Sequence, residues 1–429
     1  MLIEFRVKNY KSFKDECVFS MVAGKDNSLP DNTFQAGKHT LLKAAAVYGA
    51  NASGKSNLLK AIEFMREFVL ESADPTKSRP LGKIDTIPFL LDNHSDEEPS
   101  EFAIVFIHGE KQYEYGFSVD TKRIHEEWLF VTEPSDPKKP NPRPQTWFTR
   151  SWDNEAQKYD WKFGSLLRGA KVRLREETLE NSLFLSKAAY SNHPQLLKVY
   201  EWFNTFLRTH KQKDLGPHRT AKILHDKQYA FIRNMIVDLI KKADLGISGL
   251  SAKEKKFSPN EIKFPDEIPT KERERFLKHM EEHPQYDIKF EHKGSEGSAT
   301  FPLEWESEGT QRLFALLGPL LDTVANGFTV CLDELESSLH PELVHFVIEF
   351  VHKWYPENKA QLIFTTHDTT LLDNELFRRD QIWFTQKLKN GSTDLYSLLD
   401  HKARKGEAWQ KGYLSGRYGA VPIIERFES

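Results

Sequence analysis

The sequence predicts an α/β fold in which a core sheet with flanking helices carries a phosphate-binding loop. Residues 44–48 are mainly small or β-branched and resemble a buried strand, and a helical pattern of apolar residues begins at Lys55. Two further apolar runs, residues 328–332 and 361–365, have the length of buried strands and end in polar side chains. Residues 101–132 contain three consecutive strand candidates, which predict an antiparallel sheet beside the core.

The loop between the first strand and its helix has the pattern G-x-x-x-x-G-K-S, from Gly49 to Ser56. Its glycines allow the backbone N–H groups to turn toward phosphate oxygens, and the following helix N-terminus adds partial positive charge. Lys55 can reach the β- and γ-phosphates, and the Ser56 hydroxyl can ligate Mg²⁺. A chance glycine-rich turn is the alternative, but a strand before it and a helix after it favour a nucleotide site. The predicted nucleotide-binding residues are Gly49, Ala50, Asn51, Ala52, Ser53, Gly54, Lys55, Ser56 and Asn57.

The chain divides into three predicted segments. Residues 1–150 hold the N-terminal half of the core, with the phosphate-binding loop and the antiparallel β subdomain. Apolar residues recur at helical spacing, most clearly between Phe231 and Ile240, so residues 151–284 are predicted to be a mainly helical insertion. Residues 285–429 are predicted to supply the C-terminal half of the core.

Composition limits the partners of this protein. Among its 429 residues, 60 are Lys or Arg and 63 are Asp or Glu, so no overall basic field indicates nucleic acid, although a local patch remains allowed. The two cysteines, Cys17 and Cys331, form no metal or redox spacing. Charges come too early in residues 1–8 for the apolar stretch of a secretory signal, so none is expected there. The longest apolar run, residues 313–321, is too short to span a bilayer. We expect a soluble, cytoplasmic protein without a membrane partner.

A second motif follows the strand at residues 328–332, where Asp333 and Glu334 are adjacent. This is the Walker B form, in which Asp333 would hold the Mg²⁺ shell and Glu334 would polarise the attacking water. An acidic pair that only caps the next helix is the alternative, but an intact phosphate loop in the same chain favours the catalytic interpretation. Lys55 and Asp333 are 278 residues apart, more than a compact GTPase or AAA+ core uses.

Two further polar positions lie on either side of the acidic pair. Ser307 and Gly309 stand at the start of an apolar helix, which is a second anion site. Because the phosphate loop already holds the chain's own nucleotide, these residues would cap the γ-phosphate bound to another subunit; an ordinary serine N-cap is the alternative. His367 follows the strand at residues 361–365, where it could hydrogen-bond the γ-phosphate, although a lone histidine is more often structural.

Taken in chain order, these motifs resemble the ABC-type ATPase heads of the SMC, RecF and OLD families. The resemblance rests on the phosphate loop, Ser307-x-Gly309, Asp333-Glu334, the turn at residues 339–341 and His367. One departure is that no convincing Q-loop glutamine is present, with Gln112 and Gln145 only weak candidates. A narrower resemblance is to the RloA-like ATPases encoded beside bacterial restriction and anti-phage genes. It is carried by Phe5–Phe13, Tyr115–Phe117, Arg379–Phe384 and Gly416–Pro422.

The resemblance implies an ABC-type head that uses ATP and Mg²⁺. Lys55, Glu334 and His367 would be catalytic, and Ser56 and Asp333 would be the metal ligands. Such a head would form an ATP-dependent homodimer or higher homo-oligomer and control an effector protein encoded nearby, a nuclease being one candidate, in anti-phage defence.

Two alternative functions stay open at this point. One is a RecF- or SMC-like ATPase that holds DNA during repair or maintenance; the other is a scaffold whose nucleotide is structural. A basic segment, residues 208–225, could touch nucleic acid or an acidic partner, but it lacks interleaved aromatic residues, and a solvated helix-loop face is the simpler interpretation.

Overall fold

The computed structural model describes residues 1–74, 82–134, 142–210, 215–243, 246–255, 264–265, 268–282, 284–354, 359–401 and 407–422. The chain divides into two units. The first comprises Met1–Gln212, Asn326–Glu336 and Val347–Ser429, and the second comprises Lys213–Ala325 and Ser337–Phe346.

The described residues form strands and helices throughout both units. The strands are β1 (Leu2–Lys8), β2 (Cys17–Ser20), β3 (Thr33–Ala36), β4 (His39–Leu42), β5 (Ala44–Gly49), β6 (Ser100–His108), β7 (Lys111–Val119), β8 (Ile124–Thr132), β9 (Gln145–Asp153), β10 (Lys158–Phe163), β11 (Leu207–His210), β12 (Ile247–Glu254), β13 (Tyr286–Lys293), β14 (Ser298–Pro302), β15 (Thr329–Leu332), β16 (Gln361–Thr365), β17 (Ile382–Lys387) and β18 (Thr393–Ser397). The helices are α1 (Lys55–Glu71), α2 (Lys171–Glu176), α3 (Phe184–Tyr190), α4 (Leu196–Glu201), α5 (His218–His225), α6 (Ala230–Lys242), α7 (Thr270–Glu282), α8 (Glu308–Asn326), α9 (Pro341–Lys353) and α10 (Trp409–Leu414).

The core of the first unit is a six-stranded sheet in the order β11-β15-β16-β5-β17-β18. Its first five strands are parallel, and only β18 runs antiparallel to its neighbour. Every residue of β5 is buried, as expected for a central strand of a parallel sheet, whose two faces are both covered. The strand predicted at residues 44–48 and the helix predicted from Lys55 are confirmed.

A seven-stranded antiparallel sheet completes the first unit, in the order β10-β9-β8-β7-β6-β1-β2. The β6–β7 hairpin pairs residues 100–108 with 111–119, as the sequence predicts. The predicted α/β class, with a core sheet behind the phosphate loop and an antiparallel β subdomain, is therefore confirmed.

Gln361 joins the two large sheets of the first unit, the six-stranded core sheet and the seven-stranded antiparallel sheet. Its side chain is fully buried at the start of β16. The amide oxygen accepts from the Leu2 backbone N–H at 2.6 Å and from the Thr329 hydroxyl at 3.0 Å, and the amide nitrogen donates to the Leu2 carbonyl at 2.9 Å. One side chain thus satisfies a backbone pair of the antiparallel sheet from inside the core sheet, and a buried amide is stable only when it is paired in this way.

The segment that follows residue 150 differs from the mainly helical insertion expected there. The predicted boundary falls within β9, and β10 and β11 are also strands, the latter pairing with β15 in the core sheet. Helices α2 to α4 lie between them in the first unit. Buried Glu127 of β8 fixes the start of α3, because its carboxylate accepts the Phe184 and Leu185 backbone N–H groups at 2.8 and 3.0 Å. The division into three segments otherwise stays a prediction.

The second unit combines a three-stranded antiparallel sheet, β12-β13-β14, with helices α5 to α8 and the start of α9. Its longest helix, α8, contains Pro319, which cannot donate to the carbonyl one turn earlier. The Thr220 hydroxyl of α5 lies against this interruption, 2.6 Å from the Phe314 carbonyl and 3.0 Å from the Gly318 backbone N–H. The two helices therefore meet at the turn of α8 that precedes Pro319, where the Thr220 hydroxyl bridges a carbonyl and an N–H of that turn.

Within the described ranges, no helix has both the length and the apolar character needed to cross a bilayer.

Gly318→Ala should destabilise the second unit. A Cβ at this position would lie 2.5 Å from the Thr220 Oγ1 and 2.7 Å from its Cα, so the α5–α8 contact must open. Overpacking costs about 1–3 kcal/mol, which outweighs the gain of about 1 kcal/mol in helix propensity. We expect a lower urea midpoint for unfolding.

The matched control is Gly297→Ala in the same unit, where a new Cβ would meet nothing within 4 Å. This variant should unfold near the parental midpoint. If Gly318→Ala is at least as stable as the parent, Thr220 does not hold α5 against α8 as described.

Candidate nucleotide site

The phosphate loop connects β5 to α1 as the sequence predicts. β5 ends at Gly49, residues 50–53 form the turn, and α1 begins at Lys55. Gly54 has a φ of +114°, a conformation that side chains disfavour, and a Cβ there would lie 2.3 Å from the Thr393 Oγ1. A glycine is therefore required at this position.

Lys55 is buried within the loop that it follows. Its ammonium group donates to the Gly49 carbonyl at 2.8 Å and to the Ala50 carbonyl at 3.1 Å. Burial lowers the pKa of Lys55, and the nearby Asp333 carboxylate acts in the opposite direction. The cation is thus held against the backbone of the loop that precedes it.

Three hydroxyls outside the predicted site, those of Ser12, Thr385 and Thr393, hold this loop in place. The Ser53 hydroxyl is 2.6 Å from the Thr385 hydroxyl of β17, and the Thr393 hydroxyl of β18 donates to the Ser53 carbonyl at 2.7 Å. The Asn57 amide donates to the Ser12 hydroxyl, from the turn between β1 and β2, at 2.8 Å. Ser12 lies within Phe5–Phe13, one of the stretches on which the predicted likeness to RloA-like ATPases rests, whereas no local signal distinguishes the two threonines.

Asp333 meets the phosphate loop at the end of β15. Its Oδ1 accepts from the Ser56 hydroxyl at 3.0 Å and from the Thr365 hydroxyl at 2.6 Å. The Thr365 Oγ1 also accepts the Glu334 backbone N–H at 2.8 Å. Glu334 has a φ of +52°, so this hydroxyl holds a carboxylate-bearing residue in a left-handed conformation. Thr365 thus positions both acidic residues, and no local pattern in the sequence indicates this role.

His367 lies just beyond the end of β16, with its side chain exposed. Its backbone N–H donates to the Glu336 Oε1 at 2.5 Å. Desolvation and the Lys55 cation lower the pKa of His367, while the Glu336, Glu334 and Asp333 carboxylates oppose this shift. The structure therefore brings His367 into the electrostatic field of the phosphate loop.

A cleft of about 430 Å³ adjoins the loop. Every charged side chain that lines it is a lysine, namely Lys11, Lys55, Lys60 and Lys387. A lining of one positive sign favours a polyanionic ligand such as a polyphosphate.

Ser307 and Gly309 belong to the second unit. The exposed Ser307 hydroxyl accepts the Thr310 backbone N–H at 3.1 Å, which is the geometry of a serine N-cap at the start of α8. Beside it, the Ser338 hydroxyl donates to the Glu308 carboxylate at 2.7 Å. The N-cap interpretation is thus correct as far as the helix is concerned, and the role toward a partner's phosphate stays a prediction.

The weaker candidates have other contacts. Gln112 bonds the His39 ring at 3.0 Å and Gln145 is exposed at the start of β9, so the Q-loop residue stays unassigned. In the basic segment, Arg219 pairs with Asp322 at 2.6 Å and Arg208 lies over the Phe328 ring. Lys211 and Lys213 of this segment lie outside the described residues.

Comparison with solved structures finds SMC head domains at low identity. A head from Thermotoga maritima is 13% identical, covering 92% of this chain and 98% of that chain, with a TM-score of 0.41. A SmcHead bound to the C-winged helix domain of ScpA is 15% identical, covering 92% and 97%, with a TM-score of 0.44. An Smc head with an extended coiled coil, bound to the C-terminal domain of ScpA derived from Pyrococcus furiosus, is 14% identical, covering 92% and 96%, with a TM-score of 0.36.

No match was found among curated proteins. A protein family described as "AAA domain, putative AbiEii toxin, Type IV TA system" matches residues 44–373. The match begins at β5 and extends beyond His367, so it contains the phosphate loop, both acidic residues and most of the core sheet. The narrower resemblance to RloA-like ATPases stays a prediction. The chain belongs to this AAA family of P-loop ATPases.

Proposed function

We propose that the protein binds ATP with Mg²⁺, hydrolyses it between two copies of the chain, and thereby controls a partner effector in anti-phage defence. One observation carries the catalytic part: the Ser56 hydroxyl lies 3.0 Å from the Asp333 carboxylate, although the two residues are 277 positions apart. The fold thus brings a hydroxyl at the end of the phosphate loop against a carboxylate at the end of β15, two strands away in the core sheet, which supports one shared site for both motifs.

The residues present fit a magnesium ion. Mg²⁺ prefers oxygen ligands and is usually bound by one or two protein groups together with phosphates. Ser56 and Asp333 supply a hydroxyl and a carboxylate oxygen in direct contact, and we assign them as its protein ligands. When bound, Mg²⁺ would neutralise charge on the β- and γ-phosphate oxygens of the substrate.

The remaining groups have separate roles toward ATP. Lys55 would exchange its two loop carbonyls for phosphate oxygens, a charge-assisted contact that is stronger than either neutral acceptor offers. Glu334 would accept a proton from the attacking water, and Thr365 fixes the backbone that carries it. His367, whose lowered pKa favours the neutral ring at neutral pH, would contact the γ-phosphate.

The proposal of a dimer rests on the start of α8. Ser307 and Glu308 are exposed there, and the N-terminus of this 19-residue helix offers backbone N–H groups and partial positive charge to an anion. A second copy would supply that anion as its bound γ-phosphate. The family description mentions a toxin and a TA system, which is consistent with a protein that works with a second component.

Glu334→Gln should bind ATP but turn it over slowly. Gln keeps the volume of the side chain and cannot accept the proton released during hydrolysis, while Asp333 and Lys55 remain. We expect an ATP-dependent increase in mass by light scattering, because ATP contacts both copies only in the closed dimer. Lys55→Ala should lose ATP binding and stay in the nucleotide-free state.

Glu334→Gln and Lys55→Ala should therefore give opposite phenotypes when each is co-expressed with the neighbouring gene products. Identical phenotypes would argue against control of an effector by the ATP-bound state. An ATPase rate of the parent that rises strongly when DNA is added would instead favour a DNA-holding machine.

Ser307→Arg tests the shared site. A bulky cation at the start of α8 would collide with a facing nucleotide but leave the chain's own phosphate loop intact, so ATP should bind and turnover should fall. Ser298→Arg places the same charge at an exposed position of β14 in the same unit and should keep parental turnover. Parental hydrolysis by Ser307→Arg would rule out the shared-site dimer.

Thr365→Val tests whether one hydroxyl positions both acidic residues. Val preserves the branched shape and removes the bonds to Asp333 and Glu334, so Mg²⁺-dependent hydrolysis should fall about tenfold or more. Thr365→Ser retains the hydroxyl and should recover most of the rate. A Val variant with parental kinetics would show that Thr365 has only a packing role.

A further inference from the structure

Three buried polar atoms near the carboxyl edge of the core sheet have no hydrogen-bond partner in the described part of the chain. They are the Tyr48 hydroxyl, the Glu336 Oε2 and the Asp368 Oδ2. Tyr48 is the last side chain of β5 before the phosphate loop, and it is 0% exposed. A buried polar group left without a partner is costly, so each of these atoms requires an explanation.

Backbone hydrogen bonds bring the segments that carry these atoms to one edge of the sheet. The Thr366 N–H donates to the Val47 carbonyl at 3.1 Å, so the chain just before Asp368 lies beside the residue just before Tyr48. The Leu335 N–H donates to the Thr365 carbonyl at 3.2 Å, which brings Glu336 to the same edge. Burial raises the pKa of Tyr48 well above its usual value, and the charges of Asp368 and then Glu336 raise it further.

The other oxygen of each carboxylate is already engaged. The Glu336 Oε1 accepts the His367 backbone N–H at 2.5 Å. The Asp368 Oδ1 accepts the backbone N–H and the hydroxyl of Thr370 at 2.9 and 2.6 Å. Each carboxylate is thus oriented by one oxygen and leaves the second available. Tyr48 provides a donor, and the two carboxylates provide two acceptors.

A single water molecule matches this set of groups. Water donates two hydrogen bonds and accepts others, so it can accept from the tyrosine hydroxyl and donate to both carboxylate oxygens. Buried waters typically make about three hydrogen bonds to otherwise unsatisfied polar groups.

We propose that Tyr48, Glu336 and Asp368 hold one buried water molecule, and that this cluster positions His367 beside the phosphate loop. Tyr48 is thereby a positioning residue. It restrains Glu336 through the water, and Glu336 restrains the His367 backbone through its other oxygen. The catalytic consequence rests on the proposed function, in which His367 contacts the γ-phosphate. The existence of the water site is independent of that function.

The kinetic test is Tyr48→Phe. Loss of the hydroxyl releases Glu336 from one of its two restraints, so kcat should fall about tenfold, the effect of one lost buried hydrogen bond. The KM for ATP should stay unchanged because Lys55 and the loop are untouched. Tyr413→Phe is the matched control, since this neighbouring ring contacts Tyr48 but its hydroxyl donates to the Ala420 carbonyl. It should retain the parental kcat.

A second measurement, on the nucleotide-free protein, separates the water site from catalysis. If the Tyr48 hydroxyl has no hydrogen-bond partner, the Phe variant lacks an unsatisfied buried polar group and its free energy of unfolding should be higher than that of the parent. If the water is present, the Phe variant becomes less stable. The double variant of Tyr48→Phe with Glu336→Gln should then be less destabilised than the two single changes added together.

The outcomes distinguish the two proposals. If the parent protein is inactive and the Tyr48→Phe variant is less stable than the parent, the proposed ATPase function is wrong and the proposed water site is supported. An active parent with a Tyr48→Phe variant of parental kcat and raised unfolding midpoint overturns the inference. Additive effects of Tyr48→Phe and Glu336→Gln on stability also overturn it, because groups that share one water must be coupled.

Discussion

The site depends on the position of β16 between β5 and β15. Parallel strands present their carboxyl ends at one edge, so the phosphate loop after β5, the acidic pair after β15 and the residues after β16 emerge side by side. Asp333 connects the ends of these strands, because its Oδ1 accepts hydrogen bonds from the Ser56 hydroxyl on one side and the Thr365 hydroxyl on the other. If β16 were elsewhere in the sheet, Asp333 and Glu334 would lose their hydrogen bonds to Thr365.

The antiparallel sheet contributes to the site through two contacts, a buried one at Gln361 and a partly buried one at Ser12. Gln361 binds the Leu2 backbone through both ends of its amide, which fixes β1 against the core sheet. The turn that follows β1 then places Ser12 within 2.8 Å of both the Asn57 amide and the Thr393 hydroxyl. Replacing Gln361 by an apolar residue would leave buried backbone and hydroxyl groups without partners, so the loss would extend from the sheet junction to the phosphate loop.

Local patterns in the sequence were sufficient for the elements that carry the motifs. The strand–loop–helix at residues 44–71 and the strands before Asp333 and His367 have the periodicity, length and punctuation that such elements require. The supporting residues could not be predicted in the same way. Thr385 and Thr393 act through contacts with Ser53, which is 332 and 340 positions away. Thr365 acts through Asp333 and Glu334, which are 32 and 31 positions away at the end of another strand. Nothing in the sequence around these threonines marks one as different from another. β11 has only four residues, too few for an alternating pattern, and its place in the core sheet is decided by pairing with β15.

Lys55 and Glu334 are held in the site by different kinds of interaction. Lys55 is satisfied by the carbonyls of its own loop, and Glu334 is held in a left-handed conformation that costs about 1–3 kcal/mol. The first feature keeps a buried cation paired, and the second fixes the direction of a carboxylate at the expense of backbone strain. Phosphate oxygens would replace the carbonyls around Lys55 without any change in the strands, so the sheet need not move for a nucleotide to enter. The left-handed conformation of Glu334, by contrast, is held from β16, by the Thr365 hydroxyl and by the bond of the next backbone N–H, that of Leu335, to the Thr365 carbonyl. The half of the site that we propose to bind ATP therefore depends on local geometry near β5, whereas the half that we propose to hydrolyse it depends on the strand packing that places Thr365 beside Asp333.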